Sequence, residues 1–147
     1  MEKNLLTLAK EAQPHLGSLI VAARINGEIR DIQTSCTDAD EISFVELNSA
    51  LGWSIYRRSV LFLLIAAVHK LDNNAEVIAK FTVNKGLYCE IKIPAGELDP
   101  SFIKEIEDRM GDMIAANIPI EKRSIPRQEA INLFQKLGRE GKVNLLS

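Results

Sequence analysis

The longest uninterrupted run of apolar residues in the chain extends from Val60 to Val68. A helix over Gly52–His69 would be apolar on every side along this run, which predicts a central buried helix surrounded by other elements. Nine apolar residues fall well short of the roughly 20 that cross a bilayer, so no membrane partner is expected. Arg57 and Arg58 come just before the run, in the first turn or two, where the helix dipole disfavours positive charge unless an anion is near.

Upstream of this helix, the pattern predicts a short helix and three strands. The short helix spans Asn4–Ala12 and has one apolar face. Two apolar runs flank Asn26 and Gly27, and this pair predicts a type I′ hairpin turn because both residues tolerate positive φ. A third strand is expected over Glu41–Leu47. The first fifty residues are therefore predicted to be helix, hairpin and strand.

Downstream of the central helix, strict alternation predicts a long hairpin with one buried face. Its turn is expected at Asn84-Lys85-Gly86. The predicted buried face comprises Val77, Ala79, Phe81, Val83, Leu87, Cys89, Ile91 and Ile93. The opposite face carries Lys80, Tyr88 and Lys92, which are expected to point outward.

The last third of the chain is predicted to hold two helices and two short strands. Asp99 is suited to cap a helix that begins at Pro100 and runs to about Ala116. An edge strand is expected over Ile118–Ile125, because Pro119 cannot donate to a sheet ladder. Pro126 begins a second helix that Gly138 ends, and a final short strand is expected over Val143–Leu146.

Composition limits the classes of function. The chain has 147 residues, 46% of them apolar and 26% charged, with a net charge of -2, which is typical of a soluble globular protein. Binding to nucleic acid would need a local basic patch, since the net charge provides no general attraction. No secretory leader is recognisable, so a cytoplasmic location is expected. Cys36 and Cys89 are interpreted as reduced thiols.

The residues contain no recognisable catalytic site. The string Gly138–Val143 lacks the spacing and the hydroxyl of a phosphate-binding loop. The histidines, cysteines and carboxylates are too scattered for a metal site, so no cofactor or metal is expected in this chain. No general acid or base stands out either.

What remains is the arginine pair, because planar guanidinium groups suit bidentate binding of phosphate or carboxylate. The alternative is a structural one, in which Arg57 and Arg58 pair with carboxylates such as Glu46, Glu90 or Glu97. Lys85 and Tyr88 complete the set of candidate ligand-binding residues. The alternative for the outward hairpin face is an ordinary solvated surface.

Several segments, in the same order and spacing, resemble threonyl-tRNA synthetases. Ile20–Asp31 is similar to the second half of the small β-grasp module called TGS, and Tyr56–Leu64 resembles the opening of the editing domain. The resemblance continues through Lys85–Ile91, the helix from Asp99, Ile118–Glu121 and Arg127–Ala130. It implies an α+β fold with a partial β-grasp segment over residues 1–50. An editing-domain-like antiparallel sheet packed on the central helix would follow over residues 51–147 and be incomplete at its C-terminal end.

The sequence departs from the editing-domain pattern at the residues that the editing reaction needs. The editing pattern His-Ser-x-x-His has Arg58 and Phe62 at its two histidine positions, and the later Cys-x-x-x-His element is absent. A cation and an apolar ring cannot act as a general base. Editing activity is therefore not expected of this chain.

The Tyr-Arg-Arg-Ser variant is similar to bacterial uridine kinase-like proteins, in which such segments precede a P-loop kinase. This resemblance implies a truncated, non-catalytic N-terminal fragment that binds a nucleotide or RNA, or regulates an attached C-terminal kinase domain. ATP and magnesium would belong only to that parent kinase, and the amino end of the β-grasp segment would be trimmed. Two alternatives remain open: a diverged synthetase-type module that binds tRNA without editing, and a purely structural or dimerisation domain. The oligomeric state is not predicted.

Overall fold

The computed structural model describes residues 2–84, 86–94 and 96–147, with the backbone alone for Glu2. Helices and antiparallel strands both occur, which confirms the α+β class. The strands are β1 (Glu2–Asn4), β2 (Ile20–Ile25), β3 (Glu28–Arg30), β4 (Ser35–Thr37), β5 (Ile42–Glu46), β6 (Glu76–Val83) and β7 (Gly86–Lys92). The α-helices are α1 (Leu5–Ala12), α2 (Ala50–Leu71), α3 (Pro100–Ala115), α4 (Arg127–Lys136) and α5 (Glu140–Leu146), and a 3₁₀ turn covers Gln13–His15.

The chain divides into two compact units, residues 1–115 and residues 116–147. The sequence places a boundary elsewhere, between residues 50 and 51, and that division stays a prediction. Each side of residue 50 has a hydrophobic cluster of its own within the first unit. Helix α2 nevertheless contacts β2 and β5 on one side of that point and β6 on the other.

The N-terminal segment is built on the antiparallel sheet β3-β2-β5. Asn26 and Gly27 have φ of 50° and 86°, so the predicted turn with two positive φ values joins β2 to β3. The sequence pattern did not predict β1 and β4, which pair with each other and place Lys3 opposite Cys36. This pairing closes a cluster of Leu5, Ala23 and Cys36, which are all buried.

Helix α2 begins at Ala50, two residues before the predicted Gly52, and ends at Leu71, two residues after the predicted His69. The hydroxyl of Ser49 accepts a hydrogen bond from the backbone N–H of Gly52 at 3.0 Å, which satisfies one of the unpaired donors of the first turn. Gly52 is buried against β5, and a Cβ atom at this position would overlap the carbonyl oxygen of Glu46. The close approach of helix and strand therefore requires glycine here.

The expectation that α2 is surrounded by other elements is only partly correct. Its C-terminal part is buried at Ala67 and Val68, where it packs with Ala75 and with Ile106 of α3. Between Trp53 and Ala66 the helix is half-exposed or exposed, and Phe62 is 54% exposed. The reason is that α2 packs against a three-stranded sheet, a two-stranded sheet and α3, and these neighbours leave much of its surface uncovered.

By length and composition, α2 alone among the described helices is long and apolar enough to cross a membrane. Arg57 and Arg58, however, are the eighth and ninth of its 22 residues, so both would lie inside a span. A charged residue within a membrane span costs up to roughly 2.5–3.5 kcal/mol on insertion scales, with the highest cost at the centre. The two arginines, with the contacts of α2 to β2 and β6, favour a helix of the folded domain over a membrane span.

Helix α3 has the predicted cap, since the carboxylate of Asp99 accepts a hydrogen bond from the backbone N–H of Phe102 at 2.8 Å. Ile106 is buried in the cluster with Ala67 and Val68. Its partly buried neighbours in this cluster are Leu64, Leu71, Val77, Ile91, Ile93, Phe102, Met110 and Met113.

The second unit holds α4 and α5 among its described residues. Helix α4 follows Pro126 and gives way to Gly138 at φ 65°, as predicted. The edge strand expected over residues 118–125 is wrong, because this stretch is irregular and the described part of the unit offers no strand to pair with. The strand expected over residues 143–146 is also wrong, since α5 occupies it with Glu140 favourably placed in its first turn.

Candidate functional site

The arginine pair lies within α2 and not at its start. The helix begins at Ala50, so Arg57 and Arg58 are about two turns inside it. The effect of the helix dipole falls off within the first turn. The predicted need for an anion at a helix N-terminus therefore does not apply, and the arginines have to be judged by their own contacts.

Arg57 faces the hairpin formed by β6 and β7. It is half-buried, and its Nη1 donates a hydrogen bond to the hydroxyl of Thr82 at 3.1 Å. A hydroxyl is a neutral acceptor, so this bond leaves the charge of the guanidinium uncompensated. The structure therefore places a cation between a helix and a sheet with a neutral partner.

The structural alternative, in which carboxylates neutralise the arginines, is wrong for the described residues. No ion pair there joins Arg57 or Arg58 to Glu46, Glu90 or Glu97. The carboxylate of Glu46 instead accepts from the backbone N–H of Ser18 at 3.0 Å. Glu90 pairs with Lys80 at 3.2 Å. Both carboxylates are thus engaged elsewhere.

Arg58 and Phe62 lie one turn apart on the same flank of α2, as the i,i+4 spacing requires. Both side chains are exposed. The imidazole nearest in sequence, His69, is almost two turns beyond Phe62, and its Nδ1 lies 3.1 Å from the side-chain oxygen of Asn73. This flank carries a permanent cation and an apolar ring, so it offers no general base in its described part.

The register of the hairpin differs from strict alternation. Ala79 pairs with Cys89, whereas Phe81 pairs with Tyr88 and Thr82 with Leu87, so the register shifts between Ala79 and Phe81. A β-bulge of this kind places one extra residue on one strand and reverses the faces beyond it. Thr82 consequently lies on the side that faces α2, where Arg57 reaches it.

The same shift moves Phe81 to the outward face, so the prediction that Phe81 is buried is wrong. Its ring stacks on that of Tyr88, with centroids 5.0 Å apart and an interplanar angle of 19°. Phe81 is 58% and Tyr88 48% exposed. We call these two residues the aromatic pair. Val83, also predicted to be buried, is exposed beside it.

The structure does not bring all candidate residues together. Arg57 lies on the helix side of the hairpin, Tyr88 lies on its outward side, and Lys85 is outside the described residues. Cys89 is half-buried, and burial raises the pKa of its thiol, so it is a poor nucleophile. Sequence reasoning missed Thr82 and Phe81, because a bulge leaves no mark in a two-residue period.

No protein-family model matches the chain. A threonine–tRNA ligase of Acidithiobacillus ferrooxidans is 31% identical over 141 residues, which is 96% of this chain and 22% of the relative. The chain is similar to the N-terminal region of threonine–tRNA ligases. The ligase of Syntrophotalea carbinolica is 33% identical over 86% of the chain and 20% of the relative, and that of Methylococcus capsulatus is 29% identical over 97% and 22%. The chain thus spans about a fifth of the length of these ligases.

The similarity to ligases extends over 96% of the chain, which is the extent expected if the β-grasp-like and the editing-domain-like parts both have counterparts there. These relatives lend no support to a uridine kinase as the parent protein. The comparisons support similarity to a threonine–tRNA-ligase-type N-terminal region.

Proposed function

We propose that this chain is a diverged threonine–tRNA-ligase-type module that binds tRNA and does not hydrolyse the aminoacyl ester. The observation that carries the proposal is the similarity to these ligases over 96% of the chain, combined with Arg58 and Phe62 at the positions where the editing pattern has histidines. A similarity of this extent supports a shared kind of ligand. The two replaced side chains argue against the shared reaction.

The absence of hydrolysis follows from chemistry. Ester hydrolysis at neutral pH needs a group that accepts a proton from water. A guanidinium stays protonated at any pH near neutrality, and the ring of Phe62 has no acceptor. Because both groups are exposed on α2, solvent reaches them freely, and they provide no enclosed pocket in the described part of the helix.

The binding of RNA rests on the two arginines. Guanidinium groups bind phosphate through two parallel hydrogen bonds, and Arg57 makes its described hydrogen bond to a neutral hydroxyl. Arg58 is exposed on the adjoining flank of the helix. Since the whole chain has a net charge of -2, attraction to RNA depends on such local cations.

Two other functions remain as second choices. A uridine kinase-like parent would contain Gly-x-x-x-x-Gly-Lys-Ser/Thr after this region and would use ATP and magnesium there. A structural or dimerisation domain is the other choice, favoured by the exposed apolar residues of α2. We place the module in the cytoplasm, where tRNA is available to it.

The test is a titration of the chain with tRNA, followed by fluorescence anisotropy. Arg57→Ala and Arg58→Ala are each expected to weaken binding about tenfold and to lower the slope of log K against log salt by about 1, as expected for a lost phosphate contact. Arg30→Ala is the matched control, because Arg30 lies on β3 and pairs with Glu28. Equal binding by all four proteins would refute the arginine site.

The reaction is tested separately with threonine-specific tRNA that carries serine. The wild-type chain is expected to bind this tRNA and to leave the ester intact at the rate of the uncatalysed reaction. Accelerated release of serine would overturn the non-catalytic assignment. A chain that binds no tRNA at low salt would overturn the proposal as a whole.

A further inference from the structure

We infer that the aromatic pair, Phe81 and Tyr88, is a stacking surface for an unpaired base of RNA. The inference rests on the proposed function and adds a second contact to it, on the opposite side of the hairpin from Arg57. The arginines would bind phosphate, and the aromatic pair would bind a base.

The position of the pair is fixed by the bulge. Thr82 and Leu87 form the next register pair after Phe81 and Tyr88, and Thr82 is held towards α2 by Arg57. Because neighbouring residues on a strand point to opposite faces, the two rings must point away from α2. Each ring covers one face of the other, and both residues remain exposed.

The exposure of the pair argues for a ligand. A cross-strand aromatic contact stabilises a hairpin by itself, but that role is served better on the side that faces α2, where more apolar area is buried. Here 58% of Phe81 and 48% of Tyr88 stay exposed. Exposed flat rings are the surface on which nucleic-acid bases stack in proteins that bind single strands.

The charges beside the pair favour a nucleotide over an apolar peptide. Lys80 lies at the bulge next to Phe81, and its ammonium pairs with Glu90 at 3.2 Å across the strands. The side chains of Lys80 and Glu90 are 40% and 39% exposed, so their ion pair is weak and easily exchanged. A nucleotide combines a flat ring with an adjoining phosphate, and Lys80, the neighbour of Phe81 in the chain, would exchange Glu90 for that phosphate. An apolar peptide has no anion for it.

The experiment compares two probes, a six-nucleotide adenosine RNA and an abasic ribose-phosphate strand of the same length, each labelled for fluorescence anisotropy. The wild-type chain is expected to bind the adenosine strand about tenfold more tightly than the abasic strand, a typical gain from one stacked base. Phe81→Leu/Tyr88→Leu keeps apolar side chains on both strands and is expected to abolish this difference. Binding of the abasic strand is expected to be unchanged.

Two further variants test the inference if the double variant folds poorly. Glu90→Gln releases Lys80 from its ion pair and is expected to strengthen binding of the adenosine strand about threefold. Tyr56→Leu is the matched control, since Tyr56 is 42% exposed and contacts Trp53 on α2, and it is expected to change nothing. Ring-current shifts of the Tyr88 protons on titration provide an independent readout.

The outcomes separate this inference from the proposed function. If the folded double variant retains the preference for the adenosine strand, the inference is wrong, while binding of tRNA stands. If neither probe nor tRNA binds to the wild type, the proposed function fails and the inference fails with it. If sedimentation shows a dimer that the double variant dissociates, the pair is a protein interface and the RNA assignment is overturned.

Discussion

Arg57 and Thr82 are joined by a hydrogen bond of 3.1 Å between helix α2 and strand β6. Strict alternation along β6 predicts Thr82 on the solvent side, away from the helix. The register shift between Ala79 and Phe81 reverses this. This hydrogen bond therefore depends both on the packing of α2 against the hairpin and on the bulge that turns Thr82 towards the helix.

Replacing the hydroxyl of this pair with a methyl group is expected to destabilise the fold. In Thr82→Val the shape of the side chain is kept, and the half-buried guanidinium loses its described acceptor, at a cost of about 1 kcal/mol in the free energy of unfolding. Urea denaturation measures this. Thr7→Val, at an exposed threonine of α1, serves as the control with little expected change. A loss as large in the control would mean that the bond contributes nothing specific.

Gly52 is the position where a single methyl group is expected to be most damaging. Gly52→Ala forces α2 away from the carbonyl oxygen of Glu46, and we expect a loss of about 3 kcal/mol, typical of overpacking at a rigid backbone contact. Gly111→Ala on α3 meets no atom within 4 Å and is expected to stabilise by about 0.5–1 kcal/mol. The midpoint temperature of thermal unfolding should therefore fall in Gly52→Ala and rise in Gly111→Ala.

Features of the fold that depend on neighbouring residues were predicted from the sequence, and pairings between distant segments were not. The turn at Asn26 and Gly27, the cap at Asp99 and the end of α4 at Gly138 follow from local backbone chemistry, and all three were predicted. Strands β1 and β4 have three residues each, and they form only because distant segments meet. Such pairings leave too short a pattern to detect.

The candidate site shows the same limit. Arg57, Arg58 and Tyr88 stand out in the sequence as residue types, but their partners depend on register and on packing. The one-residue shift in β6 brings Thr82 to Arg57 and Phe81 to Tyr88. No local feature of the sequence predicts it. The partial exposure of α2 is also invisible in an all-apolar run, because it depends on how much of the helix its neighbours cover.

The stability of the N-terminal segment is expected to fall in acid because of Asp40. Its carboxylate accepts from the backbone N–H of Thr37 at 2.7 Å and from the side chain of Asn26 at 2.7 Å. The bond from Thr37, followed by that from Asn26, lowers the pKa of Asp40. A lowered pKa in the folded state means that the stabilisation is present above the unfolded value, about 3.9, and is lost as the pH falls through the folded value.

Chemical denaturation between pH 6 and pH 3 measures this contribution. Asp40→Asn is expected to lower stability at pH 6 and to lose less than the wild type on acidification. Asp112→Asn, on the exposed side of α3, is the control and is expected to retain the wild-type pH dependence. A pH dependence in Asp40→Asn as steep as that of the wild type would contradict the assignment.

The charge of Arg58 is expected to matter for tRNA binding more than its shape. An exposed imidazole titrates near pH 6.5, so Arg58→His should bind tRNA almost as well as the wild type at pH 5.5 and about tenfold more weakly at pH 8. The wild type should show no such change, because a guanidinium keeps its charge. Arg30→His is the control. Equal pH dependence in both histidine variants would assign the effect to charge in general and not to position 58.

The bulge at Lys80 makes β6 tolerant of a one-residue change in length at that point. Deleting Lys80 would restore the plain two-residue period after Ala79 and would leave Phe81 opposite Tyr88 and Thr82 opposite Leu87. A regular register that keeps Lys80 would instead pair Lys80 with Tyr88 and Phe81 with Leu87, which would turn Phe81 towards α2 and Thr82 to water. The faces of the hairpin are therefore set by the position of the extra residue and not by the identity of the side chains beyond it.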